Sequence, residues 1–430
     1  MSKLSPPHLL VERALALVPD YEEFLPLSDA LIVGSRVDAD KVWARSGGYA
    51  TVGKRVVDTD RVEKLMQVLL DRNQERLREL FGLVLDAIRE QQAGNPAAAA
   101  ALLIRAGELE EAEGRLDKAE RVYRQALDIA RDLRAKDSHA VALRRLGRTA
   151  RTAGRLDEAR VWYEQSHQLA LDGMDAVGQV IALQGLGNVC DDRGERDEAR
   201  RWWEAGLEMA AGLNAPELDW PLYANLSVLT MLEGNLAEAE RLLGRAREHI
   251  EAGGVPGGHL YWLNNRGLLL LEHGDVAGAE AVFREALPES DGRWELTLRV
   301  NLGESLLRQG RLLESEDEAR RAEEIAIVQR LITDLVDVYS LLGSIARERC
   351  DDEGFVFYEQ ALRVCHERAL PRKTEAAILH GNGRFHLACA RDEEGRAYLE
   401  AAREIYRELG FAQELARVEN DMARLVPEPV

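Results

Sequence analysis

At 430 residues and 48.0 kDa the chain exceeds one ordinary core, so several domains or an elongated repeat array are expected. Its net charge of −20 opposes nucleic-acid and anionic-membrane partners, both of which need a basic footprint. Four cysteines are too few for a disulfide scaffold. With no early apolar leader and no run of about 18 uncharged apolar residues, the chain reads as cytoplasmic. Of the 56 basic residues 7 are Lys and 49 Arg, a bias that, with abundant Ala and Gly, fits a GC-rich bacterial genome.

Residues 1–94 read as a divergent, mostly helical module. Leu9–Val18 has helical spacing closed by Pro19-Asp20, and the stretch around Tyr49, Val52, Val56 and Val57 reads as loop or short strand. From Arg61 to Glu90 two apolar faces follow, Val62, Leu65, Val68 and Leu69, then Leu77, Leu80, Phe81, Val84, Leu85 and Ile88, as in a helical hairpin. Gly48–Lys54 has the glycine and lysine spacing of a phosphate-binding loop. Yet Arg55 follows where a Ser or Thr would hold Mg²⁺, no apolar strand precedes it and no acidic strand end comes later, so no nucleotide or other cofactor is expected.

After Asn95-Pro96 a period takes over. Glycines that suit tight turns fall at Gly114, Gly154, Gly194, Gly234, Gly274 and Gly310, with Cys350 and Ala390 in the last two copies. Five residues after each turn, four after Cys350, stands a small residue, from Ala119 through Ser315 and Gly354 to Gly395. Seven before it stands another: Gly107, Gly147, Gly187, Ser227, Gly267, Gly303, Gly343 and Gly383. An aromatic or other bulky residue follows each of the first five turns at nine, as in Tyr123, Tyr163, Trp203, Leu243 and Phe283. Such a unit is two helices joined by a turn, the small positions letting backbones approach and the bulky ones filling the space beside them. One hairpin cannot bury its apolar face, so neighbours stack. Phe411–Leu425 reads as an amphipathic capping helix and Pro427–Val430 as a frayed tail, giving segments 1–94, 95–410 and 411–430.

The Leu-Gly pair, the turn glycine, the later alanine and the aromatic beyond it resemble the tetratricopeptide repeat (TPR) family, in a long-period bacterial form covering about three quarters of the chain as eight units. The resemblance implies an all-α, right-handed α-solenoid in which the first helix of each unit, helix A, lines a concave groove for peptides or partner segments. The groove positions lie two and three residues before the helix-A small residue, and one and four after it. Here they hold Arg144, Arg145, Arg148 and Arg151 in the second unit, near Arg105 of the first. The third unit places Gln184, Asn188 and Asp191 there, and the next three place Asn225, Asn265 (beside Asn264) and Asn301.

An asparagine amide offers donors and an acceptor, so a row on successive helices can hold an extended backbone whatever its sequence; the resemblance implies such ladders in peptide-binding members. The arginines would favour an acidic segment or a free carboxylate. Tyr261, with Tyr223 and Met231, would supply apolar contacts. The competing reading is that the asparagines cap helices or make inter-repeat hydrogen bonds, and that the arginines pair with the chain's own glutamates. Cys365, His366, His380, His386 and Cys389 lack a paired metal-ligand spacing, so no metal is expected, and no nucleophile motif suggests a catalytic residue. The sequence therefore reads as a non-catalytic adaptor or regulator that binds a protein or peptide. The alternative is a signalling-peptide sensor acting through residues 1–94.

Overall fold

The computed structural model describes Ile32–Val33, Tyr49–Val52, Arg55–Asp58 and residues 75–423, apart from residues 113–114, 133–135, 214, 255–256, 330 and 369. The expected helix at Leu9–Val18, the first half of the 61–90 hairpin, Gly114 and the C-terminal tail lie outside the described residues.

Near the N-terminus β1 (Ile32–Val33), β2 (Tyr49–Val52) and β3 (Arg55–Asp58) form an antiparallel sheet in the order β1-β3-β2. β3 is the middle strand, Ile32 facing Val57 on one side and Val52 facing Arg55 on the other. Valine, threonine and tyrosine favour this pleated surface. The glycine–lysine stretch at 48–54 therefore contributes a strand to a β-hairpin, whereas a phosphate-binding loop needs a helix after its strand.

The chain divides into two compact units, Met1–Thr149 and Ala150–Val430, parted inside a helix. Unit 1 holds α1 (Glu75–Gln92), α2 (Pro96–Ala112), α3 (Leu116–Asp132) and most of α4 (Lys136–Thr152), with α1 packed on α2 and α2 on α3. In unit 2 each A helix is followed by its B helix. After the B helix α5 (Leu156–Gly173) come α6 (Ala176–Asp192) and α7 (Arg196–Ala210), then α8 (Pro216–Leu232) and α9 (Leu236–Gly253). The series continues with α10 (Gly258–Glu272) and α11 (Val276–Ala286), α12 (Gly292–Arg308) and α13 (Leu312–Val328), and α14 (Leu335–Arg349) and α15 (Glu353–Glu367). It closes with α16 (Arg372–Ala388), α17 (Asp392–Glu408) and the final α18 (Ala412–Ala423). Each helix packs on the next, and A helices also meet directly, α6 with α8, α8 with α10, α10 with α12, α12 with α14 and α14 with α16. The fold is the α-solenoid of TPR-type hairpins that the repeat pattern implies.

Small and large residues complement each other as the period requires. Gly187 lies against Trp203, and Gly267 against Phe283, so closely that a Cβ at either glycine would overlap the ring. Where serine replaces a small residue, its hydroxyl donates across the hairpin, Ser227 to Ala239 O at 2.8 Å and Ser315 to Gly303 O at 2.7 Å. The turn conformation outlives the glycine that usually supplies it: Cys350 and Ala390 take φ of 53° and 55°, in the left-handed region of Gly154, Gly194, Gly234, Gly274 and Gly310. Asp175, Asn235 and Asp275 start α6, α9 and α11 by accepting a backbone N–H three residues on. No helix among the described residues is long and apolar enough to cross a membrane.

Candidate functional site

The A helices of unit 2 bring six of the expected residues into one polar row. Asn225 Nδ2 on α8 donates to Asn188 Oδ1 on α6 at 2.7 Å, and Trp203 Nε1 donates to the same oxygen at 3.1 Å. Tyr261 on α10 donates its hydroxyl to Asn225 Oδ1 at 3.4 Å. A second segment runs from Asn301 on α12, whose Nδ2 donates to Asn264 Oδ1 at 2.7 Å, and Asn264 Nδ2 reaches Asn265 Oδ1 at 3.3 Å. The segments meet where Tyr261 lies beside Asn265. Asn264 and Asn265 are buried, the other four half-buried. Gln184 is half-buried on α6, its carbonyl oxygen accepting from Trp203 Nε1 at 3.3 Å.

An aromatic wall flanks the row. Tyr261 sits edge-to-face between Trp220 of α8 and Trp294 of α12, its ring centroid 5.3 Å and 5.9 Å from theirs. Burial pushes the Tyr261 hydroxyl's pKa up, partly offset by Asn265 and Arg151. At the end of α6 Asp192 bridges Arg151 at 2.9 Å and Lys373 of α16 at 3.1 Å, and Asp191 lies 3.7 Å from the same lysine. Sequence reasoning missed Trp220, Trp294 and Lys373. The two tryptophans stand at different offsets from their repeats' small residues, and Lys373 arrives from 181 residues away, so neither shows in a period. Tyr223 instead stacks on His249 at 5.3 Å, and Met231 packs into the core around Phe283.

Arg105, Arg144, Arg145 and Arg148 lie in unit 1, and three of them meet the chain's own carboxylates. Arg105 pairs with Glu79 at 3.3 Å, Arg145 with Glu108, and Arg148 with Glu111 at 2.5 Å, while Glu111 also accepts the Tyr123 hydroxyl. Arg144 is half-buried beside them on α4. The lower-chain histidines take separate partners. His366 meets Glu375, His380 meets Asp421, and His386 stacks on Tyr398 at 5.2 Å. A group the sequence does not suggest joins Cys190, Glu195 and Glu198, their ligand atoms within 4.8 Å of one another. Arg160 already supplies a cation to both glutamates, and burial pushes the Cys190 thiol up to about 12.

A family model described as the MalT-like TPR region matches residues 72–293, from just before α1 to the start of α12. No curated protein matches the chain. Among solved structures, a Rap protein complexed with competence and sporulation factor is similar at a TM-score of 0.60 and 12% identity, covering 83% of this chain and 98% of that one. The Rap conjugation gene regulator of the plasmid pLS20, in complex with the Phr* peptide, gives 0.55 and 12%, covering 85% and 97%. The apo quorum sensor NprR from B. thuringiensis gives 0.51 and 12%, covering 80% and 97%. At such identities the likeness is one of fold.

Proposed function

The chain belongs to the family of MalT-like TPR regions, and from that membership we propose that it is a non-catalytic interaction protein that binds an extended peptide, or an extended segment of a partner protein, along the asparagine row of unit 2. The observation that carries this reading is the row itself, running over four successive A helices and bonded from helix to helix. A core asparagine needs only to be satisfied. A row that crosses the repeats on half-buried positions has amide hydrogens to offer beyond those its own bonds use. The inter-repeat bonds of Asn225 and Asn301 each use one of the two amide hydrogens and hold the amide plane in place, so the second hydrogen is preorganised for a ligand carbonyl. Adjacent helices pack roughly 8–10 Å apart, about three residues of extended chain, so the row would grip about every third peptide group. Trp220, Tyr261 and Trp294 would cover the ligand's apolar side chains.

The arginines of unit 1 are the proposed contact for acidic side chains or a chain terminus, which would exchange with Glu79, Glu108 and Glu111 on guanidinium groups already oriented by them. The reading needs no cofactor and places the protein in the cytoplasm. A second reading, that the bound peptide is a signal relayed through residues 1–94, draws support from the solved structures of similar fold, two of which hold competence and sporulation factor or the Phr* peptide and one of which is a quorum sensor.

The test is capture from a randomised nonapeptide library by immobilised full-length protein, against the variant Asn225→Ala/Asn265→Ala/Asn301→Ala. Loss of two or three backbone contacts at about 1 kcal/mol each predicts affinity reduced by at least about tenfold. Equal retention of the selected peptides by a variant with unchanged circular dichroism sinks the proposal. Peptide-induced change in amide exchange at residues 75–92 would favour the signalling form over the adaptor form.

A further inference from the structure

Repeats in a helical array touch only their neighbours unless something else holds them. In unit 2 the last helix does so. α18 packs on α17 and buries Val418 fully. It then reaches turns that belong to much earlier repeats. Glu414 accepts from Arg196 at 2.9 Å, 218 residues away in the chain. That arginine also lies 4.4 Å from the ring centroid of Phe411. Backbone fits backbone at the same place: a Cβ on Gly194 would come within 2.5 Å of Leu409 O. Further along, Gln413 Nε2 lies against Gly234, and Arg417 meets Glu272 at 3.4 Å. Residues 413, 414 and 417 share one face of α18, and their partners sit at three successive A–B turns. The far end of α18 is tied back to the last repeat, where Asp421 meets His380 at 2.9 Å and Arg384 at 3.6 Å, both on α16.

The joint is only partly packed. A cleft of about 540 Å³ opens between Gly194, Arg196 and Glu233 on one side and Gly410, Ala412 and Gln413 on the other. Ion pairs and a single aromatic make most of this contact, whereas the repeats themselves stack through continuous apolar clusters. A contact of that composition opens at lower free energy than the stacked core around it.

We propose that α18 is an intramolecular clasp that pins the last repeat to the turn edge of the repeats carrying Asn188, Asn225 and Asn265, and that its opening regulates access to the asparagine row. The first clause stands on the contacts alone; the second rests on the groove reading above. With the clasp shut, α16 and α6 are also held together through Lys373 and the Asp191–Asp192 pair, so the curvature that presents the row is set from outside it.

The experiment is hydrogen–deuterium exchange on the full chain without ligand, comparing wild type with Arg196→Glu, Glu414→Gln, Glu414→Arg and the exchanged pair Arg196→Glu/Glu414→Arg. Each charge reversal is expected to speed exchange about tenfold or more across residues 409–423 and the turns at 193–196 and 233–236, with Glu414→Gln intermediate and the exchanged pair returning toward wild type. Unchanged protection in the single variants, or an exchanged pair as unprotected as they are, overturns the clasp. Nonapeptides selected on wild type are then titrated into Arg196→Glu. A shift in their affinity by the factor by which opening rose supports gated access, and unchanged affinity refutes it. Because exchange is read without peptide, failure of the groove reading leaves the clasp result standing.

Discussion

The close approach of helices at Gly267 sets two physical effects against each other, and Gly267→Ala decides between them. Gly267 lies inside α10, where alanine is worth about 1 kcal/mol more than glycine by helix propensity. Its new methyl, however, would overlap three carbons of the Phe283 ring, and that ring is fully buried with no room to retreat. Forced overpacking costs about 1–3 kcal/mol, and with so enclosed a ring the upper end applies. The net expectation is a loss of about 2 kcal/mol, roughly a thirtyfold change in the local unfolding equilibrium. Gly244 in α9 is the control: a Cβ there meets nothing within 4 Å, so Gly244→Ala should gain about 1 kcal/mol. Long repeat arrays lose two-state behaviour, so the assay is amide exchange of α10 and α11 together with urea unfolding followed by circular dichroism. Gly267→Ala/Phe283→Leu, which vacates the space, should recover part of the loss. If Gly267→Ala proves as stable as Gly244→Ala, the small-against-large account of the repeat is wrong.

Other outcomes follow from the same geometry. Cys350→Gly and Ala390→Gly should each raise stability by up to about 1 kcal/mol, because both residues hold a left-handed φ that costs a side-chain-bearing residue about 1–2 kcal/mol; a fall in melting temperature would contradict this. Burial holds the pKa values of His380 and His386 below the ordinary histidine value. The unfolded chain then binds more protons than the folded one below about pH 6.5, so stability should be level above that pH and fall as pH drops through it. His386→Phe, at a ring whose two nitrogens have no hydrogen-bond partner among the described residues, should flatten the fall measured by melting at pH 5–8, and an unchanged slope would count against it.

Much of this architecture was legible because it is local. Gly187 and Trp203, or Gly267 and Phe283, stand at one offset inside one hairpin, so size complementarity writes itself into the period. The positions of Asn188, Asn225, Asn265 and Asn301 were legible for the same reason, since each repeat presents the same helix-A face. Their bonding was not. Whether an asparagine meets its neighbour's amide or an indole N–H depends on the rise and rotation between repeats, and it comes out differently along the row: Asn188 serves two donors from other helices, while Asn265 accepts from Asn264 beside it. The arginines show a similar split. Their clustering is a fact of sequence, but their pairing with Glu108 and Glu111, 37 residues back, is a fact of how one A helix lies on the next.

By itself, then, the sequence determined the repeat, its small and large positions and the face on which polar groups collect, because these follow from spacing along one chain of helices. Tertiary structure alone decided three things. It kept the turn conformation at Cys350 and Ala390, where stacked helices on either side impose a backbone the residue would not choose. It set Tyr261 between Trp220 and Trp294. And it brought α18 back to Arg196 and Gly194, since no periodic pattern encodes a contact between residues 218 positions apart; that contact exists only because the curvature accumulated over the intervening repeats returns the chain to itself.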